Sequence, residues 1–168
     1  MSQREDFIKV ARAELGTIEG PKDNETKYGK FTKANFLPWC GSFVMWCANE
    51  VGLKIPSVVG TLAGAKAFQK AKKWQDAATA TPEVGDIVFF DFVKGGNAVE
   101  HVGIVVRDNG DGTVTTIEGN TAPDKKGDQR NGGQVCLKTR AYLVKNRGKL
   151  KPSLPVFVVG FGKPTFKD

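Results

Sequence analysis

The sequence contains no apolar run of about 18 residues, the length that a helix needs to cross a bilayer. Its first seven residues are mostly polar and include acids, unlike a secretory signal. We therefore expect a chain that is made in the cytoplasm and does not insert stably into membranes. Internal repeats, low-complexity tracts and long linkers are also lacking, and 168 residues suffice for one core. Residues 1–168 are expected to form a single, monomeric domain.

Cysteine and histidine are scarce. The three cysteines, Cys40, Cys47 and Cys136, are odd in number and irregularly spaced, which argues against a disulfide framework. A zinc site is not expected either, because no Cys-x-x-Cys pair accompanies the single histidine, His101. At least one cysteine is therefore free to react.

Acidic residues are also fewer than basic residues. Lys and Arg number 25 against 18 Asp and Glu, a net charge of +7 that favours a polyanionic partner. The candidates are nucleic acid, an anionic membrane, or a bacterial wall with its carboxylates and phosphates. No arginine-rich arm, zinc-finger spacing or aromatic RNA-binding signature is present, so we expect no nucleic acid partner.

Helical patterns precede strand patterns along the chain. Ser2 and Glu5 have the spacing of a capping box, which predicts a first helix that ends before Gly16. Two further helices are predicted over residues 39–51 and 62–73, after a long ordered loop at 17–38. Strands are predicted over residues 86–92, 102–107, 114–118, 135–139 and 156–161. This order predicts an α+β domain with N-terminal helices packed on an antiparallel sheet.

Cys40 stands at the predicted start of the buried second helix. Unpaired N–H groups and the positive dipole end at that position stabilise a thiolate and an oxyanion. The other reading is a small buried core residue, and position alone leaves both readings open. Cys47, inside the helix, and Cys136, within a strand, are interpreted as core residues.

His101, at the head of a predicted strand, is the one candidate for a base. Gly103 leaves room on the same side, and the glycine-rich loop at 95–97 can form one wall of a cleft. Glu118 and Asn120 lie two apart on the next strand, joined to the first by a hairpin at 109–112. Either side chain can therefore approach the imidazole and fix its tautomer. The competing readings are a structural histidine and a solvent-facing glutamate.

Taken together, four segments resemble the CHAP family of cysteine- and histidine-dependent amidohydrolases and peptidases. They are residues 38–40 with Phe43 and Trp46, then 82–90, 101–105 and 117–120. Residues 24–29 also resemble family members from phages and actinobacteria. The resemblance spans about residues 14–161, and the related NlpC/P60 hydrolases share the fold and the Cys-His pair.

The resemblance implies a papain-like cysteine hydrolase fold and one catalytic domain over residues 1–168. It implies Cys40 as nucleophile, His101 as general base, and Glu118 or Asn120 as the orienting group. The family's usual activity is cleavage of amide bonds in bacterial peptidoglycan, as an N-acetylmuramoyl-L-alanine amidase or an endopeptidase. No cofactor is expected. Some members bind calcium just before the cysteine, but residues 34–37 lack carboxylates here, so we also expect no required metal.

The setting that fits such a chain is a compact, antimicrobial bacteriophage endolysin. It would be made in the host cytoplasm and would lyse the cell wall after release by a holin. A tail-associated lysin or a bacterial effector would give the same sequence pattern. The main alternative function is a catalytically inactive wall-binding module of a phage tail or surface assembly. Intact Cys40, His101 and Glu118 argue against that alternative.

Overall fold

A computed structural model of the protein describes residues 1–93, 99–142 and 154–167. The four described helices precede the six described strands, as predicted for an α+β domain. The helices are α1 (Gln3–Ala13), α2 (Lys27–Thr32), α3 (Cys40–Glu50) and α4 (Thr61–Lys70). The strands are β1 (Trp74–Asp76), β2 (Ile87–Phe90), β3 (His101–Asp108), β4 (Thr113–Thr121), β5 (Gln134–Ala141) and β6 (Val158–Gly162).

The six strands form one sheet in the order β1-β6-β2-β3-β4-β5, with every neighbouring pair antiparallel. The predicted hairpin at residues 109–112 joins β3 to β4, where Asn109 N donates to Thr113 O over 3.0 Å. Helix α3 packs across β3 and β4. In this packing the first residue of α3, Cys40, lies close enough to the first residue of β3, His101, for their side chains to interact.

Burial on both faces of the sheet holds this arrangement together. One apolar cluster joins helices α1, α3 and α4 to the sheet, and includes Phe7, Phe43 and Ile104. A second cluster, with Phe90 and Phe161, covers the opposite face. Apolar burial of this kind supplies most of the favourable free energy of folding.

The local signals at the helix ends are confirmed. The Ser2 side chain accepts from Glu5 N, and Ser2 N donates to Glu5 Oε2 over 2.7 Å, which completes the capping box of α1. Helix α3 ends at Glu50, and Gly52 follows it with φ of +64°. Helix α4 ends at Lys70, three residues earlier than expected.

Two short elements were not predicted, and both depend on tertiary contacts. Helix α2 lies inside the expected loop and is six residues long, too short to be stable by itself. Tyr28 anchors it, with its ring 5.4 Å from that of Trp39 and 5.2 Å from that of Phe43. Strand β1 has only three residues and forms by pairing with β6.

The glycine-rich loop at 95–97 lies outside the described residues. Among the helices that the structure describes, none combines the length and the apolar character needed to span a membrane.

Candidate active site

Cys40 is the first residue of α3 and is 4% exposed. The N-cap residue Trp39 makes no side-chain hydrogen bond to the first turn of α3. Its backbone carbonyl accepts from Phe43 N. Gly41 lets this turn approach the loop beside it, because a Cβ there would lie 2.0 Å from Val58 O. The backbone N–H of Cys40 therefore lies at a helix start that packs tightly against the body of the protein.

His101 is the first residue of β3 and is fully buried. Its ring packs against two stacked phenylalanines, with its centroid 5.6 Å from that of Phe90 and 5.6 Å from that of Phe92. Nε2 lies 2.9 Å from Glu118 Oε1. Nδ1 makes no hydrogen bond of normal geometry with any residue that the structure describes. The carboxylate thus occupies one ring nitrogen and leaves the other for a reacting group.

Glu118 reaches His101 across a glycine. A Cβ on Gly103 would lie 2.7 Å from Glu118 Cγ, so any larger residue would displace the carboxylate. The room that Gly103 provides is therefore taken up by the glutamate side chain. On the other side of β4, a Cβ on Gly119 would lie 2.7 Å from Phe43 Cβ, which lets α3 pack closely against the strand.

Arg140, on β5, is a residue of the site that the sequence analysis missed. Its Nε donates to Glu118 Oε2 over 2.8 Å and its Nη2 to Oε1 over 2.6 Å. Thr116 Oγ1 also donates to Oε2, over 2.5 Å. The predicted strand ended at residue 139, one position short of this arginine. The sequence signal that could have identified it was a basic residue at the end of an apolar strand.

These contacts set the charges of the buried groups. Burial by itself raises the pKa of Glu118, but the charge and hydrogen bonds of Arg140, and then those of His101, hold it well below its ordinary range. Burial likewise lowers the pKa of His101, but interaction with Cys40, and then with Glu118, raises it to about 9. At neutral pH these interactions favour a carboxylate on Glu118 and an imidazolium at His101, which lies beside Cys40.

The described hydrogen bonds of the Asn120 side chain go to residues other than His101. Its Nδ2 donates to Asn131 Oδ1 over 3.0 Å and to Asn24 Oδ1 over 3.4 Å, and its Oδ1 accepts from Gly133 N over 2.9 Å. A register shift between Glu118 and Thr121 and a φ of +58° at Asn120 accompany these contacts. The described contacts of Asn120 thus join the β4–β5 region to the loop before α2, and its catalytic role stays a prediction.

The other two cysteines lie in different surroundings. Burial raises the pKa of the Cys47 thiol, which is on the second turn of α3. Burial also raises the pKa of Cys136, whose Sγ points to Thr121 O at 3.8 Å. A thiol with a raised pKa is a poor nucleophile at neutral pH.

Within the described ranges, no group of three or more His, Cys, Asp or Glu side chains is placed to hold a metal ion. The expectation that no metal is required stays a prediction.

Helices packed on one antiparallel sheet, with a cysteine at a helix start and a histidine at a strand start, define the papain-like class of fold. A model of the CHAP domain family matches residues 32–120, which is more than half of the chain. The chain belongs to the CHAP domain family. The resemblance seen in the sequence is therefore confirmed, while the likeness to phage endolysins in particular stays a prediction.

One of three similar solved structures, with a TM-score above 0.5, supports the fold. The crystal structure of Ly7917 with the hydrolyzing product of MDP has a TM-score of 0.51 at 16% identity, over 96% of this chain and 62% of that chain. Ly7917 without that product gives a TM-score of 0.49 at 18% identity, with the same coverage. An NLP/P60-family protein, SAV0400 of Staphylococcus aureus subsp. aureus Mu50, gives 0.46 at 13% identity, over 96% of this chain and 41% of that chain.

The chain therefore spans less than two thirds of the length of these solved proteins. At 16% identity, the likeness to Ly7917 with its product shows the fold alone. A comparison with curated protein sequences finds no match.

Proposed function

We propose that this chain is a peptidoglycan hydrolase that cleaves an amide bond, with Cys40 as nucleophile and His101 as the proton-transfer group. Its membership of the CHAP family, whose usual substrate is peptidoglycan, supports the proposal. The fold likeness to Ly7917, which was crystallised with the hydrolyzing product of MDP, agrees with it. The single observation that carries the proposal is the buried His101–Glu118 contact at 2.9 Å, with the other ring nitrogen left for Cys40.

The chemistry is acyl transfer through a thioester. The Cys40 thiolate attacks the carbonyl carbon of the scissile amide, and the electron pair of the C=O bond moves to oxygen. The backbone N–H of Cys40, at the positive end of α3, stabilises this oxyanion. When the C–N bond breaks, His101 Nδ1 gives its proton to the leaving amine.

Hydrolysis of the thioester completes the cycle. The now neutral Nδ1 of His101 takes a proton from water, and the hydroxide attacks the thioester carbonyl. Sulfur leaves as a thiolate, a carboxylic acid is released, and the imidazolium is restored. Glu118 keeps the Nε2–H in place throughout, so that Nδ1 alone exchanges protons.

A more specific proposal concerns which amide bond of peptidoglycan is cleaved. Two activities are consistent with the family: an N-acetylmuramoyl-L-alanine amidase, and an endopeptidase of the stem or cross-bridge. An amidase would free the amino group of the first alanine and strip the glycan of peptide. An endopeptidase would leave that alanine attached and expose an amine further along the peptide.

Mass spectrometry of digested purified walls separates these outcomes. We expect the wild-type chain to release fragments with one new amine, and Cys40→Ser to release none while retaining its circular dichroism spectrum. Cys47→Ala is the matched control on the same helix and should digest like wild type. Wall binding without any fragment release by the wild-type chain would instead support the inactive wall-binding module.

We also propose a bacteriophage endolysin as the biological setting, made in the host cytoplasm and released by a holin. The likeness of residues 24–29 to phage members supports it, and the net charge of +7 suits a wall rich in anions. Co-expression tests it: the host should lyse when a holin is present and stay intact when the chain is expressed alone. Lysis at equal rates in both cases would contradict this setting.

A further inference from the structure

The guanidinium of Arg140 is buried beside the candidate active site and fits its carboxylate. Arg140 is 9% exposed, and Glu118 is fully buried. Nε and Nη2 of the arginine meet Oε2 and Oε1 of the glutamate at 2.8 and 2.6 Å. Two parallel bonds of this kind are strong and geometrically specific, because the planar fork matches the two carboxylate oxygens.

Four described contacts reach the carboxylate oxygens of Glu118, and the three from Arg140 and Thr116 have the carboxylate as acceptor. Oε1 meets Arg140 and, at 2.9 Å, His101 Nε2, and Oε2 meets Arg140 and Thr116 Oγ1. An ionised carboxylate can only accept, so all four contacts suit the charged form. A proton on either oxygen would break one of them.

The arginine and the histidine contact the same two aromatic rings. Arg140 Cζ lies 5.3 Å from the ring centroid of Phe90 and 5.2 Å from that of Phe92. The same two rings lie 5.6 Å from that of His101. Cation–π contacts stabilise a buried guanidinium in this setting, so Arg140 is held where it meets the glutamate.

We propose that Arg140 is a positioning residue of the hydrolase: it keeps Glu118 ionised and oriented, and so keeps the His101 proton on Nε2. The inference rests on the proposed function for its catalytic consequence, but not for its structural one. Its physical basis is that a buried carboxylate without a cation takes up a proton. Consistent with this, Arg140 is the foremost cause that lowers the pKa of Glu118 against burial.

Loss of Arg140 would redistribute one proton within the pair. A protonated Glu118 donates its O–H to Nε2, so the ring becomes neutral and keeps its remaining proton on Nδ1. No proton enters or leaves the pair in this change. A neutral ring no longer favours the thiolate of Cys40, and an Nδ1–H without a positive charge is a weaker acid for the leaving amine.

The ionisable groups around Glu118 are few among the described residues. His101 faces it from β3, and Arg140, Lys138 and Cys136 lie on β5. Lys138 donates its Nζ to Ala122 O over 2.7 Å and makes no hydrogen bond to the glutamate among the contacts described. Lys138 is therefore a matched control: a partly buried cation on the same strand.

Nitrogen NMR of the histidine ring reports directly whether Nε2 carries a proton. His101 is the single histidine of the chain, so a histidine-specific ¹⁵N label reports on it alone. At pH 7 we expect a protonated Nε2 in wild type, Arg140→Lys and Lys138→Met, and a bare Nε2 in Arg140→Met. Arg140→Gln, which is neutral but retains donors, should behave like Arg140→Met and replaces it if that variant does not fold.

Kinetics supply the second readout. We expect kcat of Arg140→Met on soluble muropeptide to fall by roughly 10²-fold or more, the scale of a lost acid–base group, with KM little changed. Arg140→Lys should recover most of that loss. A protonated Nε2 in a folded neutral variant would overturn the inference. If wild type cleaves nothing, the proposed function fails, yet the NMR comparison still decides the role of Arg140.

Discussion

Replacing Glu118 with glutamine removes one negative charge from the centre of the candidate site and changes the shape of the side chain little. The amide still offers one acceptor oxygen. Its NH₂ group, however, would face a donor of Arg140 or the Nε2–H of His101, which lie 2.6 to 2.9 Å from the carboxylate oxygens. Arg140, 9% exposed, would be left as a buried cation without an anion.

The expected cost follows from that unpaired charge. Removing one partner of a buried ion pair destabilises a protein by roughly 3–5 kcal/mol. For a chain of this size each kcal/mol lowers Tm by about 2–4 °C, so the midpoint should fall by roughly 6–20 °C. The neutral side chain also stabilises the imidazolium less, so we expect activity to fall by roughly 10²-fold or more at a temperature where the variant is folded.

The assay compares Glu118→Gln with Glu100→Gln by thermal unfolding and by wall digestion. Glu100, one residue before His101, pairs at 3.0 Å with Arg130, which is 54% exposed, although the glutamate side chain itself is 13% exposed. Breaking a partly exposed pair costs less than breaking a fully buried one, so Glu100→Gln should lower both readouts less than Glu118→Gln does. Equal stability losses in the two variants would refute the reasoning, because the buried pair would then be no more costly to break than the partly exposed one.

Four further outcomes are expected. Cys40→Ser should abolish wall digestion, whereas Cys47→Ala and Cys136→Ala should retain it; a fully active Cys40→Ser would exclude the mechanism. Burial alone lowers the pKa of His101, but its neighbours raise it from 6.5 to about 9. The stability contributed by the protonated ring is therefore complete below pH 6.5 and lost as the pH rises from 6.5 through about 9. Tm of wild type should fall over that range, and a similar slope in His101→Ala would contradict this. Asn120→Ala should cost less activity than the glutamine variant above; a far greater loss would reverse their roles. Activity on intact walls should drop from low to high salt while cleavage of soluble muropeptide changes little, since screening acts over about 10 Å at 0.1 M. Equal salt dependence would mean that the net charge has no part in wall capture.

Much of the fold was readable because its signals are local. The capping box of Ser2 and Glu5 and the glycines after the helices mark where helices begin and end within a few residues. Runs rich in Val, Ile and Phe, bounded by Gly, Asn or Pro, placed most of the sheet for the same reason. Helix α2 and strand β1 escaped prediction because each is too short to form without its tertiary partners.

Several residues of the candidate site were also singled out from the sequence. Cys40 was recognised by its place at a helix start, and His101 because it is the single histidine. Period-two alternation also identified Glu118 as a neighbour of the ring. It could not separate Glu118 from Asn120, because the strand pairing shifts register between Glu118 and Thr121, and such shifts leave little trace in a single sequence.

Composition and local pattern thus determined the class of domain, the order of its elements and the candidate pair, Cys40 and His101. Only the tertiary structure decided which groups hold that pair in place. Arg140 and Thr116 meet at Glu118 through the pairing of β4 with β5, a register that depends on distant parts of the chain packing together. The charge of a buried carboxylate follows from those contacts, since solvation and neighbouring charges, and not residue type alone, determine whether it is ionised.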